Sequence, residues 1–262
     1  MLNWLRTLIR PVFRIVLDVQ RYVSFPPGGF RGVYQTFDEA LAHAPRGKKT
    51  GYDHAELAAE YRDRFEPVLQ TYDYPVLFHL SRLLPAGGTV LDMGGNVGTH
   101  FLTYRKWLDL DRARWIVLEV PRIAAEGRAL CDGMPAVSFI SELGELDARA
   151  VDVLLSSGML QNARPALNEF LEWMDLEDKR PAILILNRLP LYDGEEYVTL
   201  QNGGLVCYPQ HVFNRTAFIA SVTKRGYQLV DHWDDLADSC IVPFHRDRWV
   251  HRYSGLCFVR VS

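Results

Sequence analysis

From residue 89 onward the chain alternates short apolar runs with helical stretches, and the first turn of that series is built from glycines. Residues 89–93, 115–119, 137–140, 151–156 and 182–187 are runs of strand length, with helical periodicity over 99–108, 122–131 and 165–175 between them. Strands this apolar are buried on both faces, and strands joined by helices run parallel. The pattern predicts a Rossmann-like, doubly wound α/β sheet. Its most hydrophobic run, 182–187, belongs in the sheet's interior. A helix over 215–225 then precedes strands over 227–233 and 255–261. No helix separates those two, which predicts an antiparallel C-terminal hairpin at one sheet edge.

Residues 1–84 read instead as an N-terminal helical cap on a domain spanning 85–262. Helices are predicted over 1–24, 36–44, 53–69 and 74–84, with breakers at Phe25-Pro26-Pro27-Gly28-Gly29 and Pro85-Ala86-Gly87-Gly88. Thr36 is the expected N-cap of the second helix, with Glu39 completing a capping box. In the first helix Leu2, Leu5, Ile9, Val12, Phe13 and Val16 recur at helical spacing, and Arg6, Arg10 and Arg14 form an i, i+4 row. A membrane span needs about 20 largely apolar residues, and these arginines interrupt any such run. Arg10-Pro11 breaks the apolar stretch a signal peptide requires. Two readings stay open: peripheral contact with an anionic membrane, or packing on the protein's own body or a second subunit in a homodimer.

The formal charge of −3 provides no basic field, so nucleic acid is not the expected partner. Cys131, Cys207, Cys240 and Cys257 lie far apart with no CxxC pair, a pattern of reduced thiols that places the chain in the cytoplasm, peripheral to the inner membrane under the first reading.

The chemistry concentrates at Leu91-Asp92-Met93-Gly94-Gly95-Asn96-Val97-Gly98, between a predicted strand and helix. Glycines let the backbone turn sharply and approach a ligand closely, and in this architecture the turn opens at the carboxyl edge of the sheet. Glu119 ends the next strand 21 residues after Gly98, the spacing at which a carboxylate reaches a ribose. The glycines do not fit G-x-G-x-x-G, and no Gly-Lys-Ser/Thr follows. An aspartate two residues before the first glycine would repel a pyrophosphate. It suits S-adenosylmethionine (SAM), which carries an ammonium and a sulfonium and no phosphate.

These residues resemble a known family. Asp92-x-Gly94-x-x-x-Gly98 is similar to motif I of class I SAM-dependent methyltransferases, Glu119 to the acid ending their second strand, and the closing hairpin to their sixth and seventh strands. More narrowly, the chain resembles a bacterial methyltransferase family found with surface-polysaccharide biosynthesis genes. That likeness is carried by Gly51-Tyr52-Asp53, Asp92-Met93-Gly94-Gly95, Ser157-Gly158-Met159-Leu160-Gln161, and Tyr208-Pro209 with Val212-Phe213-Asn214. It implies that Asp92, Gly94, Gly95, Asn96 and Gly98 surround the methionine end of SAM and that Glu119 holds the ribose. It places Glu142 or Leu143 by the adenine, and Ser156, Ser157 and Gln161 at the methyl-transfer site.

No Asn/Asp-Pro-Pro-Tyr follows the fourth strand, which counts against amino methylation. No clear carboxylate set supports a metal-dependent catechol-type reaction, Asp234-Asp235 lying in the wrong element, so no metal is expected. His211 is the first candidate base and Tyr208 the second, or a substrate contact; His100 and the pair Asn187-Arg188 are further candidates. The expected reaction is O-methylation of a saccharide or related hydroxyl. The rivals are an NAD-dependent sugar oxidoreductase, weakened by the lack of any Tyr-x-x-x-Lys, and a non-catalytic scaffold docked to the membrane through residues 1–24.

Overall fold

The structure, a computed structural model, describes residues 2–147, 151–164, 167–176 and 180–261, with the side chains of 2–10 and 168 outside the description. It opens with α1 (Leu2–Ser24), β1 (Phe30–Tyr34), α2 (Phe37–Ala42), β2 (Lys49–Thr50), α3 (Ala55–Asp63) and α4 (Asp73–Leu83). The alternating region follows as β3 (Thr89–Met93), α5 (Thr99–Tyr104), β4 (Arg114–Leu118), α6 (Pro121–Leu130), β5 (Val137–Ile140), β6 (Val153–Ser157), α7 (Leu167–Leu176) and β7 (Ile183–Leu189). The chain ends with β8 (Leu191–Tyr192), β9 (Tyr197–Asn202), β10 (Val206–Asn214), α8 (Arg215–Thr223), β11 (Tyr227–Asp235) and β12 (Tyr253–Arg260). The start expected for α7, at 165, lies outside the described residues.

The main sheet has seven strands in the order β11-β12-β7-β6-β3-β4-β5. Strands β3 to β7 pair parallel, and β12 runs antiparallel to both β7 and β11. Apolar side chains form a core on each face, around Leu154, Leu184 and Phe170 on one side and Val117, Leu155 and Trp115 on the other. The reversal of strand order between β6 and β3 opens the crevice where open α/β sheets bind ligands.

A second sheet, β1-β9-β10-β2 with β8 on the end of β10, was not expected from the sequence. It joins strands of the N-terminal segment to the hairpin that follows β7, so residues 30–34 and 49–50 are extended, not helical or loop. The second helix is capped as expected by Thr36, whose Oγ1 accepts from Glu39 N at 3.1 Å. Glu39, however, accepts from Gln35 N at 2.9 Å, one residue outside a standard box.

Helix α1 runs through Pro11 without restarting. Among its described side chains, Leu17 is half-buried and Asp18 buried, while the valines from Val12 to Val23 are exposed. This stretch packs on the protein's own body through Leu17, Asp18 and the helix end, and its valine face is left uncovered. All four cysteines are free and buried.

Candidate functional site

The glycine turn leaves β3 at the carboxyl edge of the sheet. Gly94, at φ +72°, and Gly98, at φ +88°, occupy backbone space that side chains resist, and Asn96 at φ +56° completes the bend. A Cβ on Gly94 would lie 2.2 Å from Met159 Cγ, and one on Gly95 would lie 2.3 Å from Asp92 Oδ2. Asp92 sits beneath the turn, fully buried, accepting from Trp115 Nε1 at 3.0 Å and meeting His100 Nδ1 at 2.9 Å. Burial pulls the His100 pKa down, but the Asp92 charge, its hydrogen bond and the charge of Asp73 together outweigh it, so the imidazole titrates above its ordinary value. Replacing Gly95 by alanine should lower stability by about 2 kcal/mol and weaken nucleoside binding by more than about tenfold. Thermal melts and calorimetry beside Gly144→Ala check this; Gly144 has open space around its Cβ position.

Beyond the turn lies a cavity of about 710 Å³. One wall is the sheet edge: Gly94, Asn96, Glu119, Ser157 and Gln161. Glu119 accepts from Asn96 N at 3.1 Å and Val120 N at 2.9 Å. Burial nevertheless pushes its carboxyl up to about 7. Gln161 donates to Gly158 O at 3.0 Å, while its Oε1 is buried without a hydrogen-bond partner among the described residues. Buried carbonyls are rarely left unpaired, so this oxygen points to a bound donor.

The opposite wall comes from the second sheet and from residues 237–239. Gln201, Tyr208 and Gln210 face the cavity, with Gln210 donating to Tyr253 Oη at 2.7 Å. Tyr208 stacks on Tyr52 with centroids 4.5 Å apart. Burial raises the Tyr208 phenol, so it stays protonated and offers a donor. Arg188 is the bulged residue of β7, at φ +58°, where the register with β12 gains one residue between Leu186 and Leu189. The bulge turns its guanidinium onto the Tyr72 ring at 4.4 Å and onto Asp238 at 2.6 Å.

No family model matches the sequence, and no curated protein sequence is similar to it. Solved structures do match. The 1,6-didemethyltoxoflavin-N1-methyltransferase of Burkholderia thailandensis, solved with 1,6-didemethyltoxoflavin and S-adenosylhomocysteine, superposes with a TM-score of 0.52 at 17% identity. The match covers 79% of this chain and 87% of that one. A SAM-dependent methyltransferase of Aquifex aeolicus gives 0.52 at 13% identity over 78% and 98% of the two chains. One from Clostridium acetobutylicum gives 0.51 at 7% over 79% and 98%. The fold is that of the class I methyltransferases.

Within this fold the residues singled out in the sequence fall in different places. Gly94, Asn96, Glu119, Ser157, Gln161 and Tyr208 meet at the cavity. Asp92, Gly95 and Gly98 shape the turn from beneath, and Ser156 is buried in β6 behind the wall. Glu142 and Leu143 fall outside the lining, because Glu142 caps a short 3-10 turn at Leu143–Glu145 and Leu143 packs on the core. His211 is corrected as well. Strand alternation puts it on the face of β10 opposite Tyr208 and Gln210, with its ring 4.4 Å from Phe213 and Glu196 at 3.7 Å. Asn187 is fully buried and holds Ser157, Tyr72 and Trp233 in place. Tyr61, Gln210, Asp238 and Tyr253 line the cavity without having been singled out; alternating Thr199-Leu200-Gln201 before Asn202-Gly203-Gly204 was the available signal of a hairpin.

Proposed function

We propose that this chain is a SAM-dependent methyltransferase acting on a hydroxyl of a saccharide or related small molecule in cell-surface polysaccharide biosynthesis. The observation carrying this reading is the single cavity that joins the glycine turn and Glu119 to a wall of amides and hydroxyls. The residues fit the cofactor. A side chain at Gly94 would strike Met159 on the cavity wall, and Gln161 Oε1, buried without a partner among the described residues, awaits a donor. Glu119 would take the ribose hydroxyls, the Gly94–Gly98 turn the methionine end, and Val120 and Ile123 the edge of the base. Bound there, SAM supplies an electrophilic methyl on its sulfonium. Gln201, Gln210, Ser239 and the Asp238–Arg188 pair would orient a polyhydroxylated acceptor, with Tyr208 donating to it. The polysaccharide setting rests on the family resemblance.

Calorimetric titration with S-adenosylhomocysteine and with NAD tests the cofactor. Micromolar binding of the first and none of the second is expected; preference for NAD would end the proposal. Transfer of labelled methyl from SAM to a saccharide panel then tests the reaction. On saccharides that carry no nitrogen, label that survives mild base marks an ether and supports it, whereas base-labile label marks an ester and excludes hydroxyl methylation.

A further inference from the structure

Helix α1 turns apolar side chains toward solvent. Val12, Val16, Val19 and Val23 follow at i, i+4, i+7 and i+11, with Ile15 and Tyr22 beside them, and all six are 43–73% exposed. In the sequence, Leu5, Leu8 and Ile9 occupy the positions that continue this stripe toward the N-terminus. Arg14 and Arg21 project from the other side, and the sequence repeats Arg6 and Arg10 at the same helical positions. The acid of the helix, Asp18, is buried against Arg246 at 3.0 Å. The exposed charges of residues 11–24 are therefore all positive.

A separate segment adds to this surface. Phe244 adopts φ +67°, an uncommon conformation for a bulky residue, and its half-exposed ring meets Tyr22 edge-on at 5.8 Å. The helix is tied down at its end, where the Arg31 guanidinium donates to Tyr22 O and lies over the Tyr22 and Phe25 rings. An apolar stripe, arginines on the opposite side of the helix and a neighbouring phenyl tip call for one surface that is apolar below and anionic above.

We infer that α1 and Phe244 dock this protein on an anionic phospholipid bilayer, with the valine stripe in the acyl boundary and the arginines at phosphate level. A second copy, of formal net charge only −3, would cover the stripe but attracts the arginines far less than an anionic lipid surface does. The helix lies on the membrane and does not cross it: among the described residues no helix is long and apolar enough to span. Gly28, Phe30 and Ser239 line both the candidate cavity and the groove beside Arg21, so docking sets the cavity near the lipid surface. The inference stands independently of the methyl-transfer reading.

The test is co-sedimentation of the full-length protein with vesicles of phosphatidylcholine, alone or mixed with phosphatidylglycerol. Binding to the mixed vesicles should exceed binding to the neutral ones by about tenfold and fall at high salt. Val16→Asp with Val19→Asp should abolish it, and Phe244→Ser should weaken it severalfold, with circular dichroism and melting temperature unchanged because these side chains are exposed. Absence of wild-type binding, or equal sedimentation of the double variant, would overturn the inference. So would a wild-type dimer that ignores vesicles and becomes monomeric in the double variant, since a second copy would then cover the stripe.

Discussion

Glu119→Ala should weaken S-adenosylhomocysteine binding by about 100-fold while leaving the protein folded. Two ribose hydroxyls would each donate to the carboxylate, and hydrogen bonds to a charged group contribute about 1.5–3 kcal/mol each. Losing about 3 kcal/mol corresponds to roughly two orders of magnitude in Kd. The pH dependence separates this role from a general loss of shape. The free carboxyl titrates near 7 because it is buried, and donors favour its ionised form. Affinity should be flat above that value and fall about tenfold per pH unit below it, with proton release on binding. Glu119→Gln keeps the volume, and its affinity should be low and independent of pH. Without ligand the sign reverses. The folded value lies above the ordinary 4.5, so this group's contribution to stability is full below 4.5 and lost as pH rises through 7. Calorimetry across buffers of different ionisation enthalpy checks both; unchanged affinity in Glu119→Ala would remove the ribose role.

The parallel half of the fold was legible because its signals are local. Five apolar runs and a glycine turn report burial on two faces, and strands 89–93 and 137–140 were placed to the residue. Glu119 was legible for the same reason, being tied to the turn by the length of one helix and one strand. The second sheet was not, since β1 pairs with β9 across more than 160 residues and no local pattern names that partner. His211 follows the fifth strand and its excursion in sequence, but neighbouring residues of a strand face opposite ways, and only the pairing of β10 with β9 shows that His211 turns away from the face of Tyr208 and Gln210. Asp92 shows a subtler limit. The motif marks the residue correctly, but only the structure reveals that its carboxylate is committed to Trp115 and His100 and supports the turn from below.

Arg188→Ala should destabilise the fold by about 3 kcal/mol, the second large effect expected. Asp235 is fully buried, and its Oδ2 lies 3.9 Å from the Arg188 Nε that also holds Asp238. Burial raises the Asp235 carboxyl above its ordinary value, and neighbouring Asp238 raises it further. Removing the cation leaves the buried Asp235 beside a half-buried Asp238 carboxylate, and breaking a buried pair typically costs about 3–5 kcal/mol; the partial exposure of Arg188 and Asp238 favours the lower end. The variant can relieve the repulsion by protonating Asp235. With its folded value raised above the unfolded one, stability is retained at low pH and lost as pH rises through it. The gap to wild type should accordingly narrow on acidification and widen toward alkaline pH. Backbone strain supplies a second signature. Arg188 sits at φ +58°, where a Cβ is unfavourable by about 1 kcal/mol and glycine is not. Arg188→Gly should therefore be more stable than Arg188→Ala by about that amount, reversing the usual order of the two residues in a strand. Equilibrium denaturation of both variants between pH 5 and 8 decides the matter: an alanine variant as stable as wild type, or a gap that does not move with pH, would show that the Arg188 charge does not hold this acidic pair.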